Sequence, residues 1–543
     1  MLTKALLIGA MLSFFSVDAL AFGSHKPIQQ PPPNQAYLCE TEWPPIWLAV
    51  EQRDVAMVKS LLQQGADISL ECTEQIVEDA SILFVAARQD GNTEIVNLLL
   101  AAGADPNIAA FNGRTALMWA SQFPNNAEVV EALIRDHANV RAHDITGRTA
   151  LFDAATADIA RLLIKAGVPL NAVDTNGGTI TALGTIVPKN SLDIAKVLLN
   201  AGANVHTGCP LCYVRSKEMA QLLIQSEADV NQTDGFKSAL MTAANGDDLD
   251  LVKYLLSVGA DPNFHNSRDF GADFVLSQYG PINNAALLRT LVGAGADVNQ
   301  TDGSGWTALH RMAKGGNLDT AAEILKYGAN VNATDKSGMT PLMSALQRLD
   351  NIDMLKFLVQ SGADLNHVDS DGRTVLMMSI DFSWSATLER SSLLVKSGAN
   401  VNYAAPDGNS ALLIASSIRG DSDFVNMLIQ AHADVNHAKS DGTTALMNAA
   451  FAARDLESVR ALLVAGVDVN ATNERGRTAL MLSTTPVHLI DGTGEHIVFH
   501  PEIISALLAA GARKDLKDSS GMTALDIAKS NDAPDAIIKM LSQ

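Results

Sequence analysis

The sequence predicts an all-α solenoid: stacked helix–turn–helix repeats carrying short β-hairpin fingers. Two observations carry that reading. A Gly-Ala-Asp/Asn-x-Asn signature recurs at Gly103, Gly259, Gly295, Gly328, Gly362 and Gly398, with degenerate copies at Gly65, His137, Gly167, Gly202, Glu227, His432, Gly466 and Gly511. These marks lie about 34 residues apart on average, the period of a unit that stacks on its neighbours. A second signature, Ser/Thr-x-Leu, keeps step with the first and begins at Ser81, Thr115, Thr149, Thr181, Ser238, Thr307, Thr340, Thr374, Ser410, Thr444, Thr478 and Thr523. Composition agrees. Hydrophobic residues make up 47% and aromatics 5%, so core volume must come from small and aliphatic side chains; 18% charged residues is too few for a disordered chain.

The elements follow in chain order. Lys4 precedes an apolar run from Ala5 to Phe15, and Ala19-Leu20-Ala21 completes a cleavage pattern. Residues 1–21 are therefore expected to be a signal peptide, with the mature chain beginning at Phe22 in the periplasm or outside the cell. The run is too short to cross a bilayer as a helix, so no membrane insertion is expected after cleavage. A Pro/Gln-rich linker spans 22–42 and a repeat domain of about 15 helix pairs spans 43–543. Four cysteines follow the cut, Cys39, Cys72, Cys209 and Cys212. An even number in an exported chain permits two disulfides; proximity favours Cys39–Cys72 and Cys209–Cys212 among the three pairings.

One unit, 307–338, shows the local physics. Thr307 is expected to cap the first helix by accepting a free backbone N–H. Ala308, Leu309, Met312 and Ala313 form a small apolar face, Gly315-Gly316-Asn317 breaks the chain, and Asp319 opens the second helix. Gly328 stands where a helix C-cap needs positive φ. Asp335 and Gly338 suit a tight finger turn in which the carboxylate accepts backbone N–H groups. Acid pairs such as Asp247-Asp248 fall before a second helix, where they complement its positive end.

These residues resemble the ankyrin repeat family, whose signature is Thr-Pro-Leu-His-x-Ala. Thr340-Pro341-Leu342-Met343-Ser344-Ala345 and Thr307-Ala308-Leu309-His310 are close copies, and the resemblance runs from about Trp43 to the C-terminus. Met replaces the signature His at Met118, Met241, Met343, Met377, Met447 and Met481, a register that reads as gap-filling core. Three places depart from the pattern. Cys209-Pro210-Leu211-Cys212 lies in a unit of only 25 residues, between marks 202 and 227, where a local disulfide is expected to staple a truncated first helix. The unit 267–294 lacks the signature, which suggests a kink. An insertion at 484–501 is expected to form a β-hairpin turning at Asp491-Gly492.

Function is read from what the chain lacks and what its surface offers. With 39 basic against 60 acidic residues and a net charge of -21, phosphate-driven nucleic-acid binding is excluded, and a basic protein partner is favoured. No nucleophile elbow, phosphate-binding loop, zinc-protease motif or dinucleotide fingerprint is present, so no enzyme activity and no cofactor are expected. The family resemblance implies a concave groove lined by fingers and first helices. The residue between the finger Gly and its Thr projects there: Arg114, Arg148, Trp306, Met339, Arg373 and Arg477, with Thr443 and Met522 in the same register. Arg, Trp and Met are types enriched in interface cores. The reading is an exported, non-enzymatic protein-binding scaffold, in roles such as shielding, inhibiting or supporting another exported protein. The alternative is a metal- or redox-active envelope protein. It would use His488, Asp491, Glu495, His496 and His500 as metal ligands, or Cys209 and Cys212 as a redox pair.

Overall fold

The computed structural model describes residues 44–69, 81–175, 180–264, 284–348, 351–381, 387–418, 422–453, 455–491 and 494–543. The expected signal peptide, linker, Cys39, Cys72 and the stretch 267–283 of the signature-less unit lie outside them. The chain divides into two compact bodies, one ending at Ala172 and one beginning at Val173. The first body holds four helix pairs, from Pro45–Glu51 with Val55–Gln63 to the 3-10 turn Ala150–Asp153 with Ala157–Ala166. The second holds ten described pairs and one further second helix, Ala285–Gly293. This is a helix-rich solenoid of stacked ankyrin-type units.

Each unit repeats one construction. Second helices are nearly all nine residues long, as in Leu318–Lys326, and end at a residue with positive φ such as Gly328 at 87°. First helices are shorter, and their caps follow the expectation at most units: the hydroxyls of Ser238, Thr340, Thr374, Ser410, Thr444 and Thr478 each accept the N–H three residues on. Thr307 differs. Its N–H and hydroxyl both lie within hydrogen-bond distance of His310 Nδ1, at 3.1 and 2.9 Å, because this unit alone keeps the signature His. Asp248 caps its helix by accepting the Leu251 N–H at 2.9 Å. The six signature Met residues are all at most 2% exposed, so they are core.

Stacking is enforced by side chains that bind the next unit's backbone. Asn263 Nδ2 donates to the Gly295 carbonyl at 2.8 Å and its Oδ1 accepts the Asp297 N–H at 2.6 Å. Asn231, Asn299, Asn332, Asn402 and Asn470 repeat both bonds one unit on. Each Asn replaces water at two exposed main-chain groups of its neighbour, roughly 1 kcal/mol per bond. The insertion is an antiparallel hairpin, Val487–Asp491 with Gly494–Val498, in the register Asp491↔Gly494. The turn was expected at Asp491-Gly492; Asp491 instead closes the ladder, while residues 492–493 and the side chains of 487–497 lie outside the description.

Candidate protein-interaction face

The fingers are built from Asp–x–x–Gly turns. Asp335 Oδ1 accepts the Ser337 and Met339 N–H groups, each at 2.8 Å, and Asp144, Asp302, Asp369 and Asp518 do the same in their own fingers. The Met522 N–H, helped by Ser520 and Arg477, holds the Asp518 carboxyl below its ordinary pKa. Adjacent tips are joined by main-chain bonds: Lys336 N to Ser304 O at 3.0 Å, Ser370 N to Ser337 O at 2.9 Å, Glu474 N to Asp441 O at 2.8 Å and Ser519 N to Arg475 O at 2.8 Å. The finger glycine permits that approach. A Cβ on Gly338 would stand 2.9 Å from Ser370 N. At the equivalent donor position the finger of 405–409 carries Pro406, which has no N–H to give.

On this frame the predicted recognition residues are less free than expected. Arg114 is bonded to Asp153 at 2.5 Å, lies 4.7 Å over the Trp119 ring, and keeps 17% of its side chain exposed. Arg148 approaches the same carboxylate at 3.7 Å and lies over Phe152. Trp306 donates from Nε1 to Asp335 in the next finger at 2.8 Å and stacks on His310. Arg477 donates to Asp518, also in the next finger, at 3.3 Å. Arg373 turns back on its own finger, to Asp369 at 3.0 Å and Asp371 at 2.7 Å, because the next finger has Ala405 where an Asp would accept it. Four of these six side chains are thus half-buried braces that still present one edge to solvent, and Arg114 is more deeply set. Met339 is a correction. It is 8% exposed, because its side chain fills the interior while its carbonyl accepts His310 Nε2 at 3.0 Å; its side chain is not at the surface.

Sequence reading missed Asp153, the shared acceptor, and two exposed finger-tip side chains, Phe111 and Ile145. Both signals were available. The interval from His137 to Gly167 is 30 residues, short enough to announce the tightened turn that carries Asp153, and aligned fingers single out Phe111 and Ile145 by size. Cys209 and Cys212 are joined as a disulfide with Cα atoms 5.4 Å apart, at 1% and 0% exposure, which withdraws the sulfurs from solvent. Burial pushes the nearby Tyr213 phenol up to about 12, with Asp234 accepting its hydroxyl at 2.7 Å. Of the insertion's candidate metal ligands only His500 has a described side chain, and it contacts Glu502 at 3.0 Å. No group of three or more metal-ligating side chains occurs among the described residues, nor any helix there long and apolar enough to cross a membrane.

Comparison with known proteins agrees with this architecture. The family model described as ankyrin repeats, three copies, matches in overlapping stretches that together run over 46–266 and 277–543. The chain is 26% identical over 302 residues to the ankyrin repeat and KH domain-containing protein mask-1 of Caenorhabditis elegans, covering 53% of this chain and 11% of that one. It is 29% identical over 206 residues to an L-asparaginase of Dirofilaria immitis, covering 37% of this chain and 30% of that one. It thus spans less than a third of either relative. The human ASB11 ankyrin repeat domain aligns at 22% identity with a TM-score of 0.35, over 44% of this chain and 97% of that one.

Proposed function

Because the chain belongs to the ankyrin repeat family, a fold that typically serves as a non-enzymatic protein-interaction scaffold, we propose that it is an exported scaffold that binds a partner protein along its fingers. The observation that carries this reading is the finger construction. At several seams the backbone of one tip is held by the next, while the side chain before the cap varies, with Arg, Trp, Met, Thr, Lys and Asn among the types. A frame that fixes its contact side chains before binding loses less entropy on binding. The ion pairs of Arg114 and Arg477 supply that fixation.

The test is capture from the native envelope fraction by the intact chain and by a Trp306→Ala/Arg477→Glu variant. Because these side chains also brace fingers, the variant should lose about 1 kcal/mol of stability and stay folded. Species retained by the intact chain should bind the variant more weakly by roughly 2–5 kcal/mol if the lost contacts are desolvated. Full-strength capture by a folded variant would place binding elsewhere. Export has its own readout: the native N-terminus should be Phe22, and an intact Met1 overturns it.

A further inference from the structure

The finger strands of the first body carry an exposed face distinct from the row of Arg114 and Arg148. Along one strand Asn107, Ala109 and Phe111 are exposed while Ala110 is buried; along the next, Arg141, His143 and Ile145 are exposed while Asp144 is buried. This period of two is what an extended segment presents on one side. The strands run alongside each other, tied at both ends: the Asn139 N–H donates to Asn107 Oδ1 at 2.6 Å, and the Ile145 N–H donates to the Asn112 carbonyl at 3.0 Å. Phe111 and Ile145 occupy equivalent positions in adjacent fingers, each two residues before the finger glycine. They are 81% and 74% exposed. In the second body the same position holds Gly303, Lys336, Ser370, Pro406, Ser440, Glu474 and Ser519, none a large aliphatic or aromatic residue. Single exposed apolar side chains are ordinary, but two large ones set side by side on a fixed frame mark a contact surface.

Charge identifies what the surface takes. The guanidinium of Arg141 forms no ion pair among the described residues, although the chain as a whole carries -21. The acids around it are engaged elsewhere, Asp136 with Arg135 at 3.5 Å. Asp144 accepts the Thr146 and Arg148 N–H groups on the buried side, and Asp105 accepts the Asn107 N–H. A cation exposed on the same pair of fingers as two apolar side chains complements a segment that carries a carboxylate and apolar groups, and repels a basic one.

We infer that Phe111, Ile145 and Arg141 form a docking face for an acidic-apolar segment of a partner protein. The inference rests on the scaffold reading and narrows it: the chain as a whole favours basic partners, while this face selects an acidic one.

The probe is a displayed library of random peptides, selected on the full chain. Enriched peptides are expected to combine Asp or Glu with Phe, Leu, Ile or Trp. The best of them, synthesised, should bind Phe111→Ser/Ile145→Ser at least about tenfold more weakly. Arg141→Glu should weaken it similarly, and replacing the peptide's acid with Lys should restore binding to that variant. Thermal melting checks that the exposed substitutions leave the fold intact. Selected peptides without acid enrichment, or insensitive to all three positions, overturn the inference. Peptides sensitive instead to Trp306 and Arg477 overturn it while leaving the scaffold reading in place; no selectable peptide together with no envelope capture removes both.

Discussion

Ala150–Asp153 and Pro210–Tyr213 are both four-residue 3-10 turns standing where a regular unit has a first helix such as Ala308–Gly315, yet they are held by different chemistry. At the first turn Asp153 receives Arg114 from the preceding finger and Arg148 from its own. At the second, a disulfide spans the turn itself, Cys209 takes a φ of 48°, and the Cys212 carbonyl accepts the Thr242 hydroxyl at 2.6 Å. The ionic clamp is addressed to a neighbouring unit, whereas the covalent one closes on itself and needs a left-handed residue that a side chain makes unfavourable. A shortened unit can therefore be stabilised either by borrowing from its neighbour or by a constraint of its own.

Three measurements break or sharpen this contrast. The largest effect is expected from Cys209→Ala/Cys212→Ala. Closing so small a loop contributes about 2 kcal/mol by the chain-entropy estimate, so hydrogen exchange should rise in 205–245 while distant units keep their protection. Uniform loss of protection would show that the staple holds more than its own unit. Asp153→Ala should cost somewhat less, about 1–2 kcal/mol, since it leaves two partly exposed guanidiniums without their shared carboxylate. Its effect should shrink in about 1 M salt, which screens charges beyond ~3 Å, and be indifferent to reductant; the cysteine variant should show the reverse pattern. Equal salt sensitivity in both would dissolve the distinction.

The smallest effect tests a regular unit against both. His310 is fully buried, bonded to Thr307 and Met339, and faced by Asp302 and Asp335. Burial lowers its pKa below the ordinary value, outweighing the Met339 carbonyl and the two acids, which raise it. The unfolded chain therefore binds the proton more tightly. Stability is fully present above the unfolded pKa of about 6.5 and falls as pH drops below it, by at most about 1.4 kcal/mol per pH unit. Protection in 302–340 should decline between neutral pH and about pH 5, and His310→Gln should flatten that slope. An unchanged slope would assign the acid sensitivity to other groups.

Much of the architecture was legible because a repeat states its rules many times. The positive-φ glycines, the Ser and Thr caps, the buried Met register and the hairpin over Val487–Val498 each followed from local chemistry at a known position in the period. The recognition strip was legible only as residue types. Arg114 reaches Asp153, 39 residues away on the shortened helical turn of the next unit, where aligned fingers do not look; Arg477 reaches the next finger's Asp518 across the inserted hairpin, 41 residues away. Arg373 finds its acids within four residues instead, because Ala405 removes the target that its position would otherwise reach. Thr307 looked like every other cap, but the His310 ring claims its hydroxyl. Side-chain exposure depends on such partners, and a periodic pattern carries no term for them.

The asparagine bridges have a consequence for how such a gene changes. The Asn263 side chain bonds the carbonyl of residue 295 and the N–H of residue 297 in the following unit, two peptide groups rather than side chains. A junction that recognises peptide groups accepts any unit placed beside it. Recombination can then duplicate, delete or exchange whole units without redesigning the seam. Arg114 and Asp153 behave oppositely: a crossover between their units leaves the partly buried Arg114 guanidinium without its carboxylate, while Asp153 keeps only Arg148. Copy number is the readily altered character of this coding sequence, and the seams crossed by ion pairs, Arg114–Asp153 and Arg477–Asp518 among them, are where recombination is constrained.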